Sequence, residues 1–247
     1  MTDYLVFRLY APLASWGEAA VGETRPTNTY PGRGAIIGLL GAALGIRRDD
    51  EAGQNALFQG LRVAVKQYSP GSLLRDYHTA QVPATQSKVR YRTRRDELNA
   101  PAKVINTILS SRQYRCDGLW TVAVWLTPGS TLNLETLHSG LLRPVFPLYL
   151  GRKACPLGAP LAPEQVQCGT LLEALDHMFP ELIGHQRWWL GADDSDLYVW
   201  EGDAETLDGD GAGVEVSDAW DNPLSRTRWQ FGPRKEFRRY QQCTEGH

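Results

Sequence analysis

Between Gln81 and Ala102 the chain offers almost nothing to bury. No other stretch limits the fold as much, because a segment without apolar residues cannot pack on a core of its own. It lies inside a longer run that carries Arg75, Lys88, Arg90, Arg92, Arg94, Arg95, Lys103, Arg112 and Arg115 against only Asp76, Asp96 and Glu97. Apolar, strand-like runs flank it on both sides. The stretch therefore reads as a long arm, a hairpin of two polar strands rising from a sheet. A solvated, mobile loop is the alternative for any such charge run. Tyr77 and Tyr91 sit among the cations and offer flat faces on which bases stack. Nucleic acid is the counter-charge this composition suits.

The flanking segments give the sheet. Tyr4 to Tyr10 is a mostly apolar run ended by Ala11-Pro12, the pattern of a buried strand. A Gly-, Pro- and Thr-rich loop from Ser15 to Gly34 follows, long enough to be functional or partner-bound. Gly34 to Leu44 has helical periodicity, with Ile36, Ile37, Leu40 and Leu44 on one face. Gly34, Gly38, Gly41 and Gly45 recur along it and predict close approach of another backbone; Gly45 also suits a C-cap. A short helix is expected near Ala52 to Gln59 and a strand from Leu61 to Tyr68. Leu119 to Leu126 is the strongest strand pattern in the chain, and Leu132 to Leu142 reads as a helix.

The order is thus strand, helix, strand, arm, strand, helix. That fits an α+β fold of β-α-β-β-α-β, ferredoxin-like (RRM-like) plan with an insertion before its third strand. Residues 1–160 form this domain, with the arm at 73–116. Residues 161–247 form a small, β-rich C-terminal extension. Within it we expect a short helix and a loop between Leu171 and Leu190, Trp188-Trp189 packed inward, and a solvated acidic loop over 191–213. That loop is interrupted by a strand at Leu197 to Trp200. A basic, aromatic run from Arg226 to Arg239 closes the fold.

The formal net charge of −2 conceals segregation. Residues 188–225 hold no Lys or Arg and 11 Asp or Glu, whereas residues 226–247 hold 6 basic and 2 acidic residues. Where charge is concentrated matters more for partner choice than the total. No apolar run approaches a membrane span, and the N-terminus lacks a signal-peptide pattern, so a cytoplasmic protein without a membrane partner is expected. Cys116, Cys155, Cys168 and Cys243 are scattered and read as reduced thiols.

Catalytic and cofactor signals are weak. Gly32-Arg33-Gly34-Ala35-Ile36-Ile37-Gly38 is one residue too long for a dinucleotide fingerprint, and a proline precedes it instead of a strand. A helix start can still hold a phosphate through its free N–H groups, which would suit RNA. None of the five histidines has a partner at metal-ligand spacing. Asp193-Asp194-Ser195-Asp196 lacks the Gly and terminal Glu of a calcium loop. No cofactor, metal or catalytic residue is expected. His78 alone sits in a basic, aromatic context; stacking or hydrogen bonding is the preferred role, and a general base for RNA cleavage the alternative. Arg152-Lys153, after Gly151, forms a tight basic loop suited to phosphate.

Several segments resemble one known family. They are Tyr4 to Leu9 with Pro12 and Trp16-Gly17, and Thr24-Arg25-Pro26-Thr27 leading through Tyr30-Pro31 into Gly38 to Asp50. Leu74-Arg75-Asp76-Tyr77-His78-Thr79, Trp125 to Pro128, and Pro147 to Leu157 complete the set. Together they resemble the CasD-type subunits of type I-E CRISPR Cascade, in the RAMP superfamily of ferredoxin-like RNA binders. The likeness is specific over about residues 4–160, weak over 161–213, and partly regained at Arg228 to Phe237. It implies a non-catalytic subunit that holds the 5′ handle of the CRISPR RNA and caps the CasC backbone beside the large subunit CasA. Target DNA is met only through the complex. The family's long thumb matches the arm. RNA contacts are expected from Arg25, Arg33, Arg75, Tyr77, His78, Lys88, Arg90, Arg92, Arg94, Arg95, Arg152 and Lys153. Related members that process precursor RNA use a Tyr and a Lys-His pair; this chain has no Lys-His dipeptide.

Overall fold

The computed structural model describes residues 1–18, 20, 22–85, 89–182, 195–225, 228 and 230–242. The first strand, β1 (Thr2–Ala11), is buried from Tyr4 onward. Its apolar run, broken only by the buried Arg8, is what a strand covered on both faces requires. The loop after it forms three two-residue strands, β2 (Trp16–Gly17), β3 (Thr24–Arg25) and β4 (Thr27–Asn28).

Helix α1 (Arg33–Leu44) ends at Gly45, whose φ of 75° is the left-handed cap that glycine adopts without strain. The expected backbone approach is absent at Gly34 and Gly38, where a Cβ would meet nothing within 4 Å. The close approach is made by a glycine of the neighbouring helix instead: a Cβ on Gly140 would lie 3.0 Å from the Leu44 side chain and 3.6 Å from the Ala43 backbone. Helix α2 (Glu51–Gly60) is capped by Asp50, whose carboxylate accepts the Gly53 N–H. Strand β5 (Leu61–Ser69) follows.

The basic arm is a hairpin of two twelve-residue strands, β6 (Ser72–Pro83) and β7 (Ile105–Cys116), in continuous antiparallel register from Ser72↔Cys116 to Pro83↔Ile105. Near its tip is a short helix, α3 (Arg94–Leu98), which periodicity alone did not reveal. A capping box makes it: the Thr93 hydroxyl accepts the Asp96 N–H, and the Asp96 carboxylate accepts the Thr93 N–H. The chain then forms β8 (Gly118–Leu126), α4 (Leu134–Leu142), β9 (Glu164–Cys168), α5 (Leu171–Leu175), β10 (Ser195–Trp200), β11 (Glu215–Ser225) and β12 (Gln230–Gln242).

These strands build one antiparallel sheet of seven, in the order β11-β12-β10-β5-β8-β1-β9. One face carries Phe7, Val65, Trp120 and Val122 and is closed by Ile36, Leu40, Leu57 and Leu137 of the helices. The other carries Val6, Ala123, Tyr198 and Trp200 and is closed by Leu171, Leu175 and Leu207. Each such aliphatic or aromatic side chain contributes about 1.5–3 kcal/mol on burial, so the core rests on both faces. The result is a mixed α+β, sheet-dominated protein.

The acidic stretch differs from the expected solvated loop. Leu207 is fully buried within it, and Asp208 pairs with Arg239 of β12. Trp188-Trp189, Lys88, Arg226 and the start of Asp193-Asp194-Ser195-Asp196 lie outside the described residues.

Candidate nucleic-acid interface

Side chains alternate across a strand, so the register of the hairpin sorts its functional residues into two faces. Asp76 lies opposite Arg112, and His78 opposite Ser110, on one face. Arg75 lies opposite Gln113, and Tyr77 opposite Ser111, on the other. Tyr77 and His78, adjacent in sequence, are therefore not brought together. Tyr77 is 67% exposed, and Arg75 and His78 are also exposed.

The root of the hairpin is where separate parts of the chain converge. Strand β3 adds to β7 in parallel, pairing Arg25 with Arg112 and placing both on the His78 face. On the same face Tyr114 is buried beneath Arg152, whose guanidinium lies 4.7 Å from the ring centroid. The Arg152 guanidinium also donates to the carbonyls of Gln113 (3.3 Å) and Arg25 (3.4 Å). What aims Arg152 here is Gly151. Its φ is +83°, and a Cβ would lie 1.8 Å from the Ser15 carbonyl oxygen. Ser15 in turn donates its N–H to Leu150 and its hydroxyl to Gln113. Glycine thus permits the basic loop to sit directly on the segment that braces β7. Lys153, next in the loop, is exposed.

Arg90, Arg92, Arg94 and Arg95 cluster near the tip and are exposed. Arg94 is committed to Glu97 at 2.6 Å and to the Gln81 carbonyl. Among the described residues, no carboxylate pairs with Arg25, Arg75, Arg90, Arg92, Arg95, Lys103, Arg112, Arg152 or Lys153. A run of unneutralised cations on a two-stranded arm generates a positive field with no internal counter-charge. Arg112 and Arg115 were read only as part of the basic run, and Tyr114 was not singled out; the two-residue period of β7 is the signal that puts Arg112 and Tyr114 on one face.

Arg33 is placed differently from expectation. It is 8% exposed, and its guanidinium pairs with Glu201 at 2.7 Å and donates to the carbonyls of Phe58 and Leu61. The C-terminal hairpin supplies the anions at this helix start. Asp221 approaches to 3.8 Å of where a Gly32 Cβ would be, and Arg234 bridges Asp221 (2.6 Å), Glu236 (3.0 Å) and Glu201 (3.7 Å). Tyr30 donates to Glu236 at 2.7 Å; burial and then that carboxylate push its phenol above the ordinary value. A helix N-terminus already faced by carboxylates does not present its N–H groups to a phosphate. The helix start and Arg33 therefore belong to the protein's internal framework.

The sheet faces are closed as well. An RRM stacks bases on an open sheet face, but here α5 and residues 176–180 cover it. Arg8 lies beneath, donating to the carbonyls of Pro160 (3.1 Å) and Pro180. Lys66 pairs with Asp176 (2.5 Å) and Asp196 (3.2 Å). Burial opposes the Lys66 charge, but Tyr68, Asp176, Tyr198 and Asp196 outweigh it and hold the ammonium above its ordinary value. The hairpin and its root present an accessible cationic surface. Among the described residues, no group of three or more His, Cys, Asp or Glu is placed to hold a metal ion, and no helix is long and apolar enough to cross a membrane.

The chain is 38% identical over 169 residues to the CRISPR system Cascade subunit CasD of Escherichia coli (strain K12), covering 65% of this chain and 70% of the relative. Its fold is similar to a chain of a CRISPR RNA-guided surveillance complex, with a TM-score of 0.63 and 26% identity over 97% of this chain and 89% of that one. A second solved structure, of a Cas protein, gives a TM-score of 0.60 and 27% identity over 97% and 94% of the two chains. The family model for CRISPR-associated protein (Cas_Cas5) matches residues 4–236, so the chain belongs to the Cas5 family of CRISPR-associated proteins.

Proposed function

We propose that this chain is a non-catalytic, CRISPR-RNA-binding subunit of a cytoplasmic Cascade complex. It holds the 5′ handle and caps the CasC backbone beside CasA. The observation that carries this reading is the unneutralised cationic hairpin, rooted where Arg25, Arg112 and Arg152 converge. Phosphates of the handle follow that root and the tip cations, while Tyr77, 67% exposed, stacks on a base. The strand order β9-β1-β8-β5, with helices after the first and third of these strands in sequence, supports a ferredoxin-like core whose fourth strand, β9, runs past the expected boundary at residue 160 to Cys168. The rest of residues 161–247 acts as the extension that widens it.

The endoribonuclease alternative needs a general base held by a second group. Among the described residues His78 has no hydrogen-bond or ion-pair partner to orient it, which favours the non-catalytic reading. The test is binding of the isolated chain to a 5′-handle oligonucleotide across a salt series. With about six phosphate contacts, log K falls against log salt with a slope of roughly −4. A slope near zero overturns the proposal, as does metal-independent cleavage of repeat RNA that disappears in His78→Ala.

A further inference from the structure

The loop that joins β1 to α1 lies along the edge of β7 that β6 leaves free. Ala14 pairs with Arg115, each donating its N–H to the other's carbonyl at 2.8 Å. Ser15 donates its hydroxyl to the Gln113 carbonyl at 3.1 Å. Strand β3 then runs parallel to β7, with Thr24 beside Ser111 and Arg25 beside Arg112. Continued by one residue, that register would set Pro26 beside Gln113. Proline has no N–H to give a ladder, and the pairing stops at Arg25.

The Gln113 side chain takes over where the main chain stops. Its Oε1 accepts the Thr27 N–H at 3.3 Å, standing in for a ladder carbonyl. Thr27 is only 6% exposed, and a buried N–H needs a partner. The Thr27 hydroxyl is already committed: it accepts the Trp16 N–H at 2.8 Å and donates to the Asn28 carbonyl at 3.2 Å. The Gln113 carbonyl meanwhile receives Arg152 at 3.3 Å as well as Ser15. One residue therefore joins the incoming limb of the loop, its outgoing limb and the basic loop that carries Arg152. Gln113 has no charge, and its amide oxygen is bound to Thr27, so its effect on a phosphate is exerted through Arg25.

We propose that Gln113 is a positioning residue for the RNA backbone. By bonding Thr27 it holds Arg25 beside Arg112, with the Arg25 carbonyl 3.4 Å from the Arg152 guanidinium. This rests on the RNA-binding reading above. Without the side-chain acceptor, Arg25 hangs from a strand of two residues, and the cations of the root must be ordered by the RNA itself.

The test is a double-mutant cycle on the full chain, reading affinity for a 5′-handle oligonucleotide across a salt series. Gln113→Met keeps the length of the side chain but not its acceptor. It should weaken binding about threefold to tenfold, the range of one neutral hydrogen bond. The slope of log K against log salt should become shallower by about 0.7, one phosphate contact on a single strand. Arg25→Ala should do the same, and in that background Gln113→Met should change affinity by less than about twofold. A residue serving stability alone would lower affinity equally in both backgrounds. Hydrogen exchange on the unaltered protein without RNA should show a protected Thr27 amide, a readout independent of any variant's folding. Additive effects in the cycle, an unchanged slope in Gln113→Met, or an unprotected Thr27 amide would each overturn the proposal and leave the RNA-binding reading standing. Salt-independent binding by the unaltered chain would overturn both.

Discussion

Arg152 spans the Tyr114 ring and the carbonyls of Gln113 and Arg25, tying the glycine loop to two strands of the hairpin root. Neither contact depends on the rest of the arm. The geometry of this root is therefore set by the folded sheet, and the arm is oriented before it meets any ligand. Preorganisation of that kind lowers the ordering cost of binding.

The first prediction concerns what lets Arg152 reach this place. In Gly151→Ala the new methyl would occupy the position of the Ser15 carbonyl, at a φ that L residues rarely adopt. The loop must move away, carrying Arg152 and Lys153 with it. We expect a lower melting temperature and weaker binding to a handle oligonucleotide. Arg152→Ala should weaken binding with a smaller loss of stability, since the backbone can stay where it is. Equal melting temperatures for Gly151→Ala and the unaltered chain would contradict the packing argument.

The second separates the tip from the root. Arg90, Arg92 and Arg95 are exposed and pair with no carboxylate among the described residues. Replacing all three by alanine removes cations without opening a core, so the melting temperature should hold. If each contacts a phosphate, the salt slope becomes shallower by about 2, at roughly 0.7 per contact for a single strand. Measured affinities at several salt concentrations decide it. An unchanged slope would place the RNA elsewhere.

Much of this arrangement was legible because the relevant signals are local. The coreless run from Gln81 to Ala102 announced the hairpin, and alternating or continuous apolar runs announced β1, β5 and β8. Arg33 was misread because sequence spacing does not show burial; its partner Glu201 is 168 residues away and arrives on the loop after β10. The same holds for Asp221 at the helix start. Sequence identified the cations of the arm, but only the register of β6 and β7 shows that Tyr77 and His78 face opposite sides. Helix α3 was legible in principle, from Thr93 and Asp96 at capping-box spacing.

The third prediction follows from that long-range pairing. Arg33→Ala leaves Glu201 buried without its 2.7 Å partner, though Arg234 remains 3.7 Å away. Breaking a buried pair by removing one member costs about 3–5 kcal/mol. Chemical denaturation should show a loss of that order. Binding to the handle oligonucleotide, measured where the variant remains folded, should change little, because Arg33 is not on the accessible surface. A large affinity loss with unchanged stability would restore Arg33 to the interface.

The fourth prediction is a pH dependence. The hydrogen bond from Arg239 holds the Asp208 carboxyl below its ordinary value of 3.8, against a smaller opposing effect of burial. A folded-state value depressed in this way means the unfolded chain takes up the proton first. The stabilisation is therefore complete above about pH 4 and is lost as the pH falls through the folded-state value. In Asp208→Asn the charge is absent at every pH. The melting temperatures of the two proteins should differ at neutral pH and converge in acid, below pH 3.8. A constant gap across that range would show that Asp208 contributes through packing alone, and would remove the ion pair as the reason the acidic segment folds against β12.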